Sequence, residues 1–182
     1  MMKRPATSAR GTGPEISRGR RARGVTLIEL MIAILILALL LTIAIPSFRD
    51  ATLGARLASA ANNLLASVQV ARSEAIKANA ATTLCASANG ATCAGSGGWE
   101  QGWIVRDASA TVIQSQAALP TGFKLTQTGG TATLTFQPIG VGATAATFTA
   151  CRNSPVGDQE RVVNVTATGL AYVSTTTTGS CP

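Results

Sequence analysis

The 182-residue sequence contains no histidine and no Cys-x-x-Cys pair, and aromatic residues make up only 4% of it. Histidine is the usual general base of Ser–His–Asp and Cys–His catalytic sites and a common zinc ligand. Its absence therefore argues against both kinds of site. No paired-carboxylate or phosphate-loop motif stands out either. We expect a protein that is not an enzyme and that needs neither a metal nor another cofactor.

Basic residues are concentrated at the N-terminus. Residues 1–24 contain seven Lys or Arg and one Glu, whereas residues 25–182 contain eight basic and seven acidic residues. The net charge of +7 therefore belongs mainly to the first segment, and the total does not by itself indicate a nucleic acid partner. Residues 1–24 are also rich in Arg, Ser, Thr, Gly and Pro and lack apolar periodicity. We predict a disordered cytoplasmic leader there.

Residues 25–45 form an apolar run with a single charge. At about 1.5 Å per residue, 21 helical residues span roughly 30 Å, the thickness of a bilayer core. Positive charge before such a run holds that end in the cytoplasm, so the remainder is expected on the other side of the membrane. Pro46 is expected to kink the helix where it leaves the bilayer. The sequence thus predicts a single membrane pass over residues 25–46.

Helical periodicity resumes in residues 47–80, the predicted amphipathic segment. The helix as a whole is predicted to run from Val25 to about Asn79. Apolar residues recur at steps of three and four, as on the buried face of an amphipathic helix: Leu57, Ala61, Leu64, Val68, Ala71 and Ala75. We interpret Arg72, Glu74 and Lys77, off this stripe, as a solvated face. Residues 81–182 then contain short β-prone runs separated by turn residues. Strands are predicted at 82–86, 102–106, 111–114, 123–127, 132–136, 147–151, 161–166 and 170–174. The predicted fold class is α+β with antiparallel strands.

Glu29 is the one charge within the apolar run. A carboxylate at the centre of a bilayer costs about 2.5–3.5 kcal/mol on insertion scales. One interpretation is an uncleaved signal anchor that tolerates a glutamate near the interface. In the other, cleavage after Gly24 gives Val25 a new α-amine, which neutralises Glu29 within one chain or between neighbouring chains. Glu29 would then set the register of an assembly.

The stretch GVTLIELM, residues 24–31, resembles the class III signal and first helical turns of type IV pilins and type II secretion pseudopilins. The resemblance implies cleavage after Gly24 by a prepilin peptidase and methylation of Val25. Pro46 matches the proline that this family has at the end of its apolar segment. The resemblance places the protein in the inner membrane as a single-pass precursor with a periplasmic C-terminal domain, and in a filament at the cell surface after assembly.

Downstream motifs are similar to those of the FimT/GspH subfamily of minor pilins and pseudopilins. They are VARSEAIKAN (70–79), LC (84–85), GWEQGWIV (98–105) and FQPIG (136–140). The resemblance implies a type IV pilin-like fold, a long N-terminal helix packed on an antiparallel β domain. It also implies major and minor pilins, the prepilin peptidase and an inner-membrane assembly platform as partners. Because cysteine-bearing members are more often pilus components, we expect a minor pilin that acts in pilus assembly and twitching motility, with a type II secretion pseudopilin as the alternative.

All four cysteines follow the apolar run, and an even number in an exported domain favours disulfides. Three connectivities are possible. We expect Cys85–Cys93, which closes a short loop, and Cys151–Cys181, which ties down the C-terminal strands. Trp99 and Trp103 are expected to be buried.

A DNA-binding minor pilin is a further alternative. The family's Gly-Arg-x-Arg segment corresponds here to residues 169–172, where apolar or small residues replace both arginines. Phosphate contacts would then fall to Lys124, Arg152 and Arg161, which we interpret as scattered surface cations. Nucleic acid is therefore an improbable partner on sequence grounds.

Overall fold

The computed structural model describes residues 24–96, 98–140, 143–157, 159–179 and 181. The predicted leader, apart from Gly24, lies outside the described residues. The chain divides into two compact units, Met1–Ala44 and Ile45–Pro182. The helix α1, Leu27–Ala78, supplies residues to both. It continues through Pro46, and the kink expected there stays a prediction.

In the first unit, the helical residues are exposed on every side, and all but Glu29 and Thr42 are apolar. The described chain contains one helix long and apolar enough to cross a membrane, with a mean hydropathy of 2.9 in its most apolar window. None of that window is buried by the rest of the chain. A helix that is hydrophobic all round must be covered by something else, either lipid or other protein.

The described residues of the second unit form eight antiparallel strands in two four-stranded sheets. Sheet A has the order β3-β2-β1-β5, and sheet B has the order β4-β6-β7-β8. The strands are β1 Thr82–Ala86, β2 Trp103–Arg106, β3 Val112–Gln116, β4 Phe123–Gln127, β5 Thr133–Phe136, β6 Ala146–Arg152, β7 Glu160–Val165 and β8 Ala171–Thr176. Each predicted strand is present, with its ends within two residues. The α+β fold with antiparallel strands is confirmed.

The core lies where α1 meets both sheets. All six residues of the predicted helical stripe are buried: Leu57, Ala61, Leu64, Val68, Ala71 and Ala75. They share one hydrophobic cluster with inward side chains of sheet A, such as Leu84 and Val105, and of sheet B, such as Phe148 and Val163. The alanines in the stripe let the helix approach closely, and the larger residues fill the space between the sheets.

Two tryptophans tie these layers together, and both are buried as expected. Trp99 belongs to a short 3-10 helix, Trp99–Gln101, and its ring meets that of Phe148 in β6 edge-on, with centroids 4.8 Å apart. Its indole N–H donates to the Thr131 carbonyl at 3.0 Å. The Trp103 indole N–H donates to Ser67 Oγ of α1 at 2.9 Å.

Gly102 explains part of the GWEQGW motif. Its φ is +106°, and a Cβ built there would lie 2.6 Å from the carbonyl oxygen of Gln116. Only glycine adopts this conformation without strain and leaves room for the neighbouring backbone. The chain can therefore turn sharply between the two buried tryptophans.

Both predicted disulfides are present. Cys85 in β1 is joined to Cys93, and Cys151 in β6 is joined to Cys181. The first closes a loop of 8 residues and the second a loop of 30. The second holds the segment after β8 against sheet B.

Candidate functional site

The helix begins with a side-chain cap. Thr26 Oγ1 accepts a hydrogen bond from the backbone N–H of Glu29 at 3.2 Å, and the Thr26 carbonyl accepts the first helical bond, from Leu30 N–H at 3.1 Å. Thr26 is therefore the N-cap and Glu29 the third helical residue, the arrangement of a Thr-x-x-Glu capping box. A carboxylate in the first turn also interacts favourably with the positive end of the helix dipole.

This cap changes the expected relation between Val25 and Glu29. Helix was predicted from Val25, which would place the two residues one turn apart. The helix begins at Leu27 instead, because Thr26 adopts the capping position, so Gly24 and Val25 precede it. The helical i, i+4 spacing therefore does not hold for this pair. Glu29 is exposed, as are the apolar residues that follow it. Its carboxylate is accessible to a group from outside the chain.

The second motif region is less solvated than the sequence suggested. Lys77 is exposed and forms an ion pair with the half-buried Glu74, with Nζ and Oε1 2.7 Å apart. Arg72, in contrast, is half-buried. A Cβ at Gly169 would lie 3.2 Å from Arg72 Cδ, and one at Gly140 would lie 3.3 Å from Ile76 Cδ1. The glycines of two turns therefore accept helix side chains, which brings ARSEAIKAN and FQPIG together.

The three cations considered for DNA do not form an open basic patch. Lys124 Nζ lies 3.0 Å from Glu100 Oε1. The interpretation of Arg152 as a surface cation is wrong: its side chain is 7% exposed, because it points to the helix-facing side of β6. Arg161 is half-buried and shares a cavity with Arg152. At residues 169–172 the exposed large side chains are Leu170 and Tyr172 rather than arginines.

Sequence reasoning missed Glu160, a buried carboxylate in β7. Its side chain is 1% exposed and accepts hydrogen bonds from Thr176 Oγ1 at 2.8 Å and from the Thr178 backbone N–H at 3.0 Å. Burial raises the pKa of Glu160, but these bonds and further ones from Thr178 and Gly179 outweigh burial, so the pKa lies below its usual value. The tail that covers Glu160 is the segment closed by the Cys151–Cys181 disulfide.

An apolar, side-chain-capped helix whose second half is packed on an antiparallel β domain is the architecture of a pilin-type subunit. A crystal structure of the type IV minor pilin FimU from Pseudomonas aeruginosa shares this fold. It is 24% identical, the alignment covers 68% of this chain and 91% of that chain, and the TM-score is 0.54. The minor pseudopilin EpsH of the type 2 secretion system of Vibrio cholerae is 13% identical, with 65% and 96% covered and a TM-score of 0.49. No curated protein matches the chain.

Two sequence families match the chain. The prokaryotic N-terminal methylation motif matches residues 19–45, which include Gly24, Val25 and Glu29. The family described as type II transport protein GspH matches residues 60–169, more than half of the chain. The chain belongs to the GspH family and is a type IV minor pilin or pseudopilin.

Proposed function

We propose that the protein is a minor pilin of a type IV pilus that is cleaved after Gly24, methylated at Val25, and then incorporated into the filament or used to prime it. The observation that carries the proposal is the capped helix with an exposed apolar N-terminal segment and an accessible Glu29 in its first turn, continuing into a β domain stabilised by two disulfides. Its role is structural rather than enzymatic. Pilus assembly and twitching motility depend on it indirectly.

The position of Glu29 supports pairing between chains. In the precursor, Val25 lies outside the helix, and Glu29 is the only acidic residue in the first turn. An α-amine created at Val25 places a cation at the positive end of its own helix dipole, which is unfavourable without a nearby anion. A carboxylate left alone in hydrocarbon is also unfavourable, by about 2.5–3.5 kcal/mol. Contact between the amine of one subunit and Glu29 of another relieves both costs at once.

The proposed partners follow from this arrangement. They are the prepilin peptidase, which acts on Gly24 at the cytoplasmic face of the inner membrane, an assembly platform in that membrane, and major and minor pilins. The β domain lies in the periplasm before assembly, where disulfides persist. The two disulfides favour the pilus, since cysteine-bearing members of the resembled subfamily are more often pilus components. A type II secretion pseudopilin is the second candidate, and the GspH family match supports it.

Processing is tested by mass spectrometry of the N-terminus of the chain recovered from sheared surface filaments. We expect a chain that begins at methylated Val25. Gly24→Ala should leave the precursor uncut in the membrane, with Gly95→Ala as the control because Gly95 is also a glycine with no atom near its Cβ position. A mature N-terminus at Val25 in the Gly24→Ala variant would contradict the cleavage step.

Assembly is tested at Glu29. Glu29→Gln keeps the shape of the side chain and removes its charge, so membrane insertion should persist while incorporation into filaments falls at least tenfold. Glu74→Gln, a half-buried acidic residue on the same helix, is the matched control. Normal piliation in the Glu29 variant would remove the pairing argument. Loss of secreted enzymes with intact pili on deletion of the chain would assign it to secretion instead.

A further inference from the structure

A cavity of about 430 Å³ lies in the second unit, between α1 and the β6–β7 region of sheet B. Four of the six residues that line its helix wall are Ala or Gly. Its sheet wall carries two guanidinium groups. The lining residues are Asp50, Ala51, Gly54, Ala55, Leu57, Ala58, Arg152, Gln159 and Arg161. The position is distinct from Gly24, Val25 and Glu29, which belong to the first unit.

Arg152 is buried but incompletely paired. Its side chain is 7% exposed, and its Nη1 atom makes no hydrogen bond with any residue that the structure describes. Asp50 Oδ1 lies 3.6 Å from Nη1, outside hydrogen-bonding distance, and the Asp50 side chain is 72% exposed. A buried charge is stabilised only when its partner is well placed and its donors are satisfied. Asp50 meets neither condition, and being exposed it can turn towards water.

Arg161 adds a second cation to the same cavity. It is half-buried, and Nη1 donates to the backbone carbonyl of its neighbour Glu160 at 3.3 Å. Arg161 in β7 pairs with Ala150 in β6. Ala150 is two residues before Arg152 in the same strand, so Arg152 and Arg161 lie on the same face of the sheet. The described lining thus holds two guanidinium groups and one carboxylate. The planar donor fork of arginine fits the two oxygens of a carboxylate.

We propose that this cavity binds the carboxylate of an acidic side chain from a neighbouring protein subunit, held between Arg152 and Arg161 after Asp50 turns away. The volume is within the range of pockets that enclose an organic group rather than a small ion. The small residues of the helix wall leave room for the backbone of the incoming chain. The proposal takes its source of ligand, another subunit, from the proposed function, but the chemistry of the cavity is independent of it.

The test uses the full chain in detergent micelles, with ¹⁵N-labelled arginine side chains observed by NMR. The probe is glutamate blocked at both backbone ends, and the neutral probe is the corresponding blocked glutamine. We expect the blocked glutamate to shift the Arg152 and Arg161 signals with a Kd in the millimolar range, and the blocked glutamine to leave them unchanged. Arg161→Gln should weaken binding at least tenfold. Arg106→Gln, on sheet A, is the matched control and should bind as the unmodified chain does.

Asp50→Asn separates binding from a merely structural ion pair. If Asp50 competes with the ligand, this variant should bind the blocked glutamate several-fold more tightly. Unchanged or weaker binding in Asp50→Asn would overturn the proposal, as would equal shifts with the neutral probe. Inorganic phosphate or a single-stranded oligonucleotide that displaces the probe at lower concentrations would also overturn it, in favour of a phosphate site. Because none of these measurements needs filament assembly, their failure leaves the pilin proposal untouched.

Discussion

The two disulfides should contribute unequally to stability, and their loop lengths give the size of the difference. We consider a variant with Cys151→Ala and Cys181→Ala, and a control with Cys85→Ala and Cys93→Ala. In the chain-entropy description, a loop of 30 residues corresponds to about 3.6 kcal/mol and a loop of 8 residues to about 2.5 kcal/mol. Both sets of substitutions truncate a cysteine buried in a strand, Cys85 or Cys151. The cavity costs of the two variants therefore nearly cancel.

Release of the C-terminal tail adds to this difference. Without the Cys151–Cys181 bond, the Thr178 N–H that donates to Glu160 is no longer held in place. We therefore expect the tail variant to lose at least about 1 kcal/mol more than the control, measured as the free energy of unfolding. Urea unfolding of the full chain in micelles, followed by tryptophan fluorescence, reports the second unit because both tryptophans are buried there. A control variant that proves the less stable of the two would refute the reasoning.

Three further predictions use the same unfolding assay. Since the pKa of Glu160 is lowered, this residue stabilises the fold above its unfolded pKa of about 4.3, and the stabilisation is lost as the pH falls through the folded pKa. Glu160→Gln should therefore lower the free energy of unfolding at pH 7 and make it depend less on pH below about 4.3. An unchanged dependence on pH would contradict this. In a double-mutant cycle, the effects of Trp103→Phe and Ser67→Ala on the free energy of unfolding should couple by about 1 kcal/mol, because Trp103 and Ser67 share a hydrogen bond. Additive effects would count against this coupling. Gly102→Ala should lower the free energy of unfolding by about 1–3 kcal/mol, because φ of Gly102 is +106° and the added Cβ would lie 2.6 Å from the Gln116 carbonyl oxygen. An unchanged free energy of unfolding would contradict this.

The sequence predicted the elements well because their signals are local. The stripe from Leu57 to Ala75 needs only its own spacing to indicate a buried helix face, and alternation within a strand marks its inward residues. The N-cap was missed although its signal was present: Thr26-x-x-Glu29 before an apolar run is a capping-box pattern. Attention to the cap would have placed the helix start correctly.

The features that could not be predicted from the sequence depend on contacts between distant segments. The order of strands in the two sheets follows from their packing together and not from any single strand. Arg152 and Arg161 look alike in sequence, yet the pairing of β6 with β7 places both beneath α1. Glu160 is buried only because residues 18 positions later fold back over it. Arg72 is half-buried because the turn at Gly169 lies against its stem.

In the proposed filament assembly, the bare apolar segment of α1 would also limit how a subunit leaves the bilayer. Eleven of residues 30–45 are Leu or Ile, and each favours the membrane centre by about 0.3–0.6 kcal/mol, so the segment prefers lipid to water by about 3–7 kcal/mol. That corresponds to roughly a hundred- to hundred-thousand-fold bias against a hydrated state. If the subunit is incorporated as proposed, we expect concerted extraction, in which each turn of the departing helix gains a protein neighbour as it loses contact with lipid acyl chains. Assembly machinery that extracted the subunit first and docked it afterwards would have to supply the full transfer free energy from lipid to water.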